Sequence, residues 1–206
     1  MQFIICGALS ISSISVYQNI QITMRFLKRF VLILVSLFVL LLLVSFFLPS
    51  KVHVERSLQI NARPQTVFAY LNNVKTYDKW MPWNQMDPNW KVVYGSKTEG
   101  KGAWFSWESE YGEVGSGRLT ITECIPYNKV EVDLWFPEQP ELRYCWALEP
   151  AGKGTKVVWH MFANLGNSPL DRYIGLFSNI VMGKHFNQGL GNLKKLSEAN
   201  TAVINE

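Results

Sequence analysis

The chain has 206 residues, of which 48% are hydrophobic and 17% are charged, a composition that excludes an intrinsically disordered protein. Its formal net charge at pH 7 is +4, but three basic residues precede the longest apolar run and leave 17 basic and 16 acidic residues after it. The part that follows the apolar run therefore has almost no basic excess, and we expect no nucleic-acid partner.

The first 23 residues contain no charge and no apolar run long enough to span a membrane. Met24 then opens the sequence MRFLKRF, which is typical of the start of a membrane anchor. We therefore predict that residues 1–23 are a non-native upstream or disordered segment without a function, and that the protein begins at Met24.

The longest apolar run covers residues 30–48 and is interrupted only by Ser36 and Ser45. As a helix it would be about 28 Å long, which is enough to cross the core of a bilayer. A signal peptide is the alternative, but its apolar core is usually about 7–15 residues long and is followed by small residues. We predict an uncleaved signal anchor, a single transmembrane helix within residues 24–49.

The charges beside this run indicate its orientation. Arg25, Lys28 and Arg29 precede it, whereas Lys51 alone follows closely. Basic residues favour the cytoplasmic side of a membrane span. We expect a single-pass membrane protein with its amino terminus in the cytoplasm and its domain on the outer, periplasmic or extracellular, face.

Three different patterns follow the anchor. Apolar residues alternate in residues 52–60, which predicts a half-buried strand, and recur at helical spacing in residues 62–74, which predicts a short helix. Residues 78–90, DKWMPWNQMDPNW, combine three tryptophans with two prolines and show neither period. Such an aromatic segment covers a core from the side or lines an apolar concave surface.

Six strand-like segments lie between residues 90 and 162, and the short loops between them predict antiparallel neighbours. The glycine-rich loop at residues 112–117 links two of them, so we interpret it as a hairpin and not as a phosphate-binding loop. Apolar residues at helical spacing from Leu170 to Leu196 predict a long carboxy-terminal helix, with a kink or break near Gly183.

This order of elements predicts an α+β fold, with a domain at residues 50–199, a tail at residues 200–206 and a monomeric state. Five segments, in their order along the chain, resemble the membrane-anchored, polyketide cyclase/dehydrase-like branch of the START-like (SRPBCC, helix-grip) superfamily: NARPQTVFAYLNNV, KWMPWNQMDP, GEVGSGRLTI, GTKVVW and FNQGLGNLKKLSE. The resemblance covers nearly the whole part after the anchor. It implies a curved antiparallel sheet of about six to seven strands wrapped around the long carboxy-terminal helix and an apolar cavity, in a family whose members mostly bind hydrophobic molecules.

Strand alternation directs several large side chains towards the predicted cavity. Trp104 and Trp107 fall on opposite faces of one strand, and the alternation does not decide which of them faces inward. We predict that one set of residues contacts a ligand: Trp83, Trp107, Leu134, Tyr144, Trp146, Trp159, Met161, Phe186 and Leu190.

These patterns favour a membrane-anchored domain that binds a hydrophobic small molecule or lipid, with no catalytic residues and no cofactor. His53, His160 and His185 lack the sequence spacing of metal ligands, so we expect no metal. Two alternatives remain open. One is an enzyme of polyketide cyclase/dehydratase or hydrolase type, which would use polar groups such as Glu108, Arg143 or Tyr144. The other is a protein-interaction module whose core is filled by its own side chains.

Overall fold

The computed structural model describes the backbone of residues 3–87, 89–112, 114–137 and 141–204, and the side chains of these residues between 24 and 200 apart from Gln85. The chain divides into two compact units, with the boundary between Leu48 and Pro49.

The first unit contains one helix, α1 (Phe3–Ser45). Within it, Met24–Ser45 is long and apolar enough to cross a membrane, by length and composition alone. The helix ends at Ser45, three residues before the end of the apolar run at residue 48, and residues 46–48 form a turn before Pro49. Proline disfavours a helical conformation in the residue that precedes it, which accounts for the earlier end. The origin and function of residues 1–23 stay predictions.

The second unit begins with β1 (Lys51–Ile60) and α2 (Pro64–Asn72). A 3-10 turn at Val74–Thr76 follows. Two further turns lie at the start of the aromatic segment: the single turn α3 (Tyr77–Trp80) and a 3-10 turn at Pro82–Gln85. Proline in the first turn of α2 costs no hydrogen bond, because that N–H has no partner within a helix.

Seven strands form one antiparallel sheet in the order β1-β7-β6-β5-β4-β3-β2. A register shift between Ile121 and Glu123 marks a bulge in β4, and such bulges bend a strand and increase its twist. The remaining six strands are β2 (Lys91–Tyr94), β3 (Trp104–Glu108), β4 (Gly117–Ile125), β5 (Lys129–Trp135), β6 (Leu142–Ala151) and β7 (Gly154–Asn164).

Two helices complete the chain, α4 (Pro169–Gly175) and α5 (Ser178–Ile204). The helical path breaks at residues 176–177, and α5 continues through Gly183, so the prediction of a break at that glycine was wrong and a kink there stays a prediction. Gly183 instead allows a close approach, because a Cβ there would collide with the guanidinium of Arg56. The same holds at Gly189, where a Cβ would lie 2.7 Å from the ring of Trp159.

The core lies between the concave face of the sheet and the helices α2, α3 and α5. Trp80, Trp146 and Trp159 are fully buried at its centre, each ring within 5.7 Å of the next by centroid distance. The predicted α+β, helix-grip architecture is confirmed: a curved antiparallel sheet holds a long carboxy-terminal helix. Cys124 and Cys145 lie on β4 and β6, with β5 between them, and both are free thiols.

Candidate functional site

A cavity of about 490 Å³ lies beside the packed core, between the aromatic segment, strands β3 to β6 and the start of α5. This volume is within the range of roughly 300–1,000 Å³ that is usual for small-molecule sites. Its wall is mainly apolar. Aromatic side chains form one part of it: Trp83, Trp90, Phe105, Trp107, Phe136 and Tyr144. Aliphatic side chains and methionines form another part: Met81, Val114, Leu119, Leu134, Leu142 and Met182.

The strand register explains why these residues share one wall. Phe105 on β3 pairs with Leu119 on β4, which in turn pairs with Leu134 on β5. Directly paired residues of antiparallel strands point to the same face of a sheet. The alternation that buries one of these side chains therefore turns all three towards the cavity.

The structure assigns the two faces of β3. Trp107 is 8% exposed and lines the cavity, and its indole N–H donates to the carbonyl of Val114 at 3.3 Å. Trp104 lies on the outer face, where the guanidinium carbon of Arg118 sits 3.9 Å from its ring centroid. Trp107 is therefore the tryptophan of this strand that a molecule in the cavity would touch.

The aromatic segment serves both the core and the cavity. Trp80 is fully buried, and its carbonyl accepts a hydrogen bond from the side-chain amide of Asn192 on α5 at 3.3 Å. Trp83 is half-buried at the cavity, with its ring nearly parallel to that of Tyr144 at a centroid distance of 6.1 Å. The segment is thus fixed to α5 at one tryptophan and forms a wall of the cavity with another.

The sequence of the second compact unit now identifies the family of the chain. One family profile, described as polyketide cyclase / dehydrase and lipid transport, matches residues 51–198. The chain belongs to this family. A comparison with curated proteins found no match.

Several solved structures share the fold of this chain. The di-domain ARO/CYC StfQ from the steffimycin biosynthetic pathway is 16% identical, with a TM-score of 0.56 over 74% of this chain and 52% of its own. SA2116 of Staphylococcus aureus, a protein of unknown function, is 12% identical, with a TM-score of 0.56 over 74% of this chain and 96% of its own. KanY is 19% identical, with a TM-score of 0.54 over 73% of this chain and 99% of its own. At such identities the likeness concerns the fold.

In this member of the polyketide cyclase / dehydrase and lipid transport family, four of the nine predicted ligand contacts line the cavity: Trp83, Trp107, Leu134 and Tyr144. The other five are buried in the adjoining core and are not part of its wall: Trp146, Trp159, Met161, Phe186 and Leu190. Strand alternation had placed five of the nine on one face of their strands: Leu134, Tyr144, Trp146, Trp159 and Met161. It could not reveal that α5 closes over one half of that side and leaves the other half open.

The glycine-rich loop also contributes to the wall, a role that its predicted hairpin conformation did not indicate. Gly115 has the positive φ of 57° that a hairpin requires, as predicted. Val114, Gly115 and Ser116 also line the cavity, and Val114 is only 6% exposed. An apolar residue within an otherwise polar and glycine-rich turn was the signal that could have indicated this role.

The cavity holds a few polar groups. The side-chain nitrogen of Asn84 is buried there without a hydrogen-bond partner among the described residues. Burial raises the pKa of the Tyr144 hydroxyl above its ordinary value, so this group stays protonated at neutral pH. Glu108 and Arg143 are exposed, and Arg143 pairs with Asp133 at 2.8 Å outside the cavity. Of the polar groups considered for an enzyme, Tyr144 alone is at the cavity.

Two histidines meet on the outer face of the sheet, although they are 107 residues apart in the sequence. His53 Nε2 lies 3.1 Å from His160 Nδ1, and an oxygen of Glu55 lies 3.3 Å from that same nitrogen of His160. These three residues form a group that could hold a metal ion. His185 lies elsewhere, with its ring 5.8 Å from that of Trp83.

Proposed function

We propose that this chain is a membrane-anchored binding protein whose cavity takes a hydrophobic small molecule or lipid. Membership of the polyketide cyclase / dehydrase and lipid transport family supports a ligand-binding domain of this fold. The observation that carries the finer proposal is the cavity of about 490 Å³, which aromatic and aliphatic side chains line while a fully packed core lies beside it.

The few polar groups favour a ligand with an apolar body and at least one hydrogen-bond acceptor. Asn84 offers a buried N–H donor that no residue in the described part of the chain accepts, and Tyr144 offers a protonated hydroxyl in the same wall. A buried donor that lacks a partner costs roughly 1–3 kcal/mol, so a ligand acceptor that reaches Asn84 would recover that free energy. Fatty acids, isoprenoid alcohols and aromatic polyketides all combine these two features.

The cavity argues against the alternative of a protein-interaction module whose core is filled by its own side chains. Side chains such as Trp159 and Phe186 fill one half of the concave side, but the cavity occupies the other half. The stretch Met24–Ser45, long and apolar enough to span a bilayer, supports the anchor. We propose that it holds the domain on the outer face of the membrane, with the amino terminus in the cytoplasm.

Binding is tested with the full chain in lipid nanodiscs, by titration with a fluorescent polyene fatty acid and by competition with unlabelled fatty acids, isoprenoid alcohols and aromatic polyketides. We expect a saturable change in tryptophan emission. Met182→Trp should weaken binding because the larger ring would occupy the cavity that Met182 lines. Val93→Trp is the control, since Val93 is exposed on β2 and lies outside the cavity wall. Equal binding by both variants would contradict the proposal.

A further inference from the structure

A continuous apolar surface covers α4 and the start of α5. Its members are exposed by 50% to 74%: Leu170, Ile174, Leu176, Phe177, Ile180 and Val181. No charged residue occurs between Tyr173 and Gly183. So many large apolar side chains side by side on a folded domain indicate a surface that contacts something other than water.

This surface lies at the end of the domain where the chain enters it. The N–H of Leu165, just before α4, donates to the carbonyl of Ser50 at 2.8 Å. A Cβ on Gly175 would lie 3.1 Å from a methyl group of Val52. Gly175 is flanked by Ile174 and Leu176 of the apolar surface. The surface therefore adjoins the first residues of β1.

The connection to the apolar helix is short. α1 ends at Ser45 and β1 begins at Lys51, so residues 46–50 form the whole link. Six Cα–Cα steps lead from Ser45 to Lys51, and an extended chain spans at most about 22 Å over them. If Met24–Ser45 crosses a bilayer, the end of the domain that carries the apolar surface must stay within about that distance of the membrane.

We propose that the apolar surface of α4 and α5 inserts into the interfacial layer of the bilayer beside the anchor. This inference rests on the membrane anchoring proposed above. Apolar helical faces of this kind bury roughly 5–10 Å into the boundary between headgroups and acyl chains. The covalent link adds a high effective concentration, so a surface too weak to hold a free domain at a membrane suffices here.

The apolar surface also adjoins the ligand cavity. Val181 belongs to the apolar surface, while the next residue, Met182, lines the cavity. The first turns of α5 thus present one side to the surface and another to the cavity. A hydrophobic ligand could pass between bilayer and cavity along α5 without crossing water.

The test uses the full chain in liposomes of phosphatidylcholine and phosphatidylglycerol that contain a phospholipid with a photoreactive acyl tail. Cross-linked positions are mapped by mass spectrometry. We expect labels on α1 and on residues 170–181, and none on Val93 or Trp135, which are equally exposed but lie on the sheet. The double variant Phe177→Asp and Ile180→Asp should remove the labels from residues 170–181 and keep the melting temperature, because both side chains are exposed.

Labels restricted to α1, or labels that survive the double substitution, would overturn this inference and leave the anchor and the binding site intact. A wild-type dimer that the double substitution converts to a monomer, without lipid labels on α4 and α5, would assign the surface to a second copy and also overturn it. If the chain is extracted from the membrane by an alkaline wash, the anchoring fails and the inference fails with it.

An independent observation concerns the outer face of β1 and β7. Glu55 pairs directly with His160 in the sheet, and His53 lies two residues before Glu55 on the same face. The nearest ligand atoms of the three side chains are separated by 3.1, 3.3 and 4.0 Å. Ligands at about 2.0–2.1 Å from a tetrahedral Zn²⁺ lie about 3.3 Å from one another. The ring of Phe162 stacks on His53, with centroids 4.7 Å apart, and orients it.

We infer that His53, Glu55 and His160 bind a divalent transition-metal ion such as Zn²⁺, with the fourth position open to water. Two imidazoles and one carboxylate are a ligand set that proteins use for zinc. The rigid pairing of β1 with β7 holds the three groups together before any ion arrives, which lowers the cost of assembling the site. The site lies outside the ligand cavity, since none of its residues lines that cavity.

The test titrates the full chain, purified in detergent without a histidine tag, with Co²⁺ and then displaces the Co²⁺ with Zn²⁺. We expect a d–d absorption typical of tetrahedral Co²⁺ without a sulfur charge-transfer band, because the site contains no cysteine. His53→Ala and His160→Ala should each weaken binding by roughly tenfold or more, since even loss of an outer-shell partner costs about 10–100-fold. His185→Ala is the control and should bind as wild type. Retained affinity in His53→Ala and His160→Ala, or a spectrum that requires thiolate ligands, would overturn the assignment.

Discussion

The rings of Trp159 on β7 and Phe186 on α5 are stacked face to face, with centroids 4.1 Å apart and planes inclined by 7°. Both side chains are fully buried. The contact is made possible by Gly189, one turn further along α5, which leaves room for the edge of the Trp159 ring. It joins the sheet to the helix that the sheet encloses.

Trp159→Ala is expected to destabilise the domain by about 3–5 kcal/mol, because it removes a buried ring and leaves a space that the surrounding strands cannot close. The melting temperature of the full chain in nanodiscs measures this effect. Phe162→Ala, at an exposed aromatic residue of the same strand, is the control and should change it little. A small effect of Trp159→Ala would mean that the ring faces an open space.

Trp83→Ala is expected to weaken ligand binding while it lowers stability by only about 1 kcal/mol, since the side chain is half-buried at the cavity. The measurement combines a melting curve with titration of the fluorescent polyene fatty acid. If Trp83→Ala unfolds the domain as severely as Trp159→Ala and wild type binds no compound, both tryptophans belong to a filled core.

Leu37→Arg combined with Leu41→Arg should release the chain from the membrane. Two arginines near the centre of a span add roughly 5–7 kcal/mol to the free energy of insertion. Fractionation of cells and immunoblotting of the membrane pellet provide the measurement, with Leu37→Ala combined with Leu41→Ala as the control that keeps the span apolar. A wild-type chain that is soluble and begins after Leu48 would contradict the anchor.

The domain alone, residues 50–206, should fold as a monomer with a sheet-rich circular dichroism spectrum, because its core is formed within the second compact unit. Sedimentation velocity measures its mass. An unfolded or mainly helical spectrum would contradict the independence of this unit, and a stable dimer would contradict the expected monomer.

Stability should fall at alkaline pH. Burial, together with the Glu131 carboxylate, raises the pKa of the Cys145 thiol from 9.0 to about 11. The unfolded thiol therefore loses its proton first, so this contribution is complete below pH 9 and is lost as the pH rises towards 11. The buried hydroxyls of Tyr77 and Tyr144, whose pKa values are also raised by burial, add to the loss.

Cys145→Ala tests this prediction. We expect the variant to lose less stability between pH 8 and pH 11 than wild type, in denaturant titrations followed by near-ultraviolet circular dichroism. Parallel pH profiles of the two chains would exclude the thiol as a cause.

The sequence by itself determined the local features of this protein. The period-2 pattern identified the strands of the sheet, and it placed Tyr144, Trp146 and Trp159 on one face, because alternation in a strand is a property of the backbone. The apolar run and its flanking charges identified a candidate span in the same way. The irregular aromatic segment was expected to cover a core or to line a concave surface, and in the structure Trp80 belongs to the core while Trp83 lines the cavity.

Tertiary structure alone decided what each inward face touches. Trp107 lies on the face of β3 that packs against the core, and Trp104 lies on the opposite face. Which face packs against the core depends on the pairing of β3 with β4. From their positions in the sequence, Trp159 and Phe186 could equally have lined a cavity. They fill the core instead, because Gly189 leaves room for the Trp159 ring. His53 and His160 meet only through the pairing of β1 with β7, the first and last strands of the chain. Contacts between residues so distant in sequence leave no local period, so a pattern read along the chain cannot contain them.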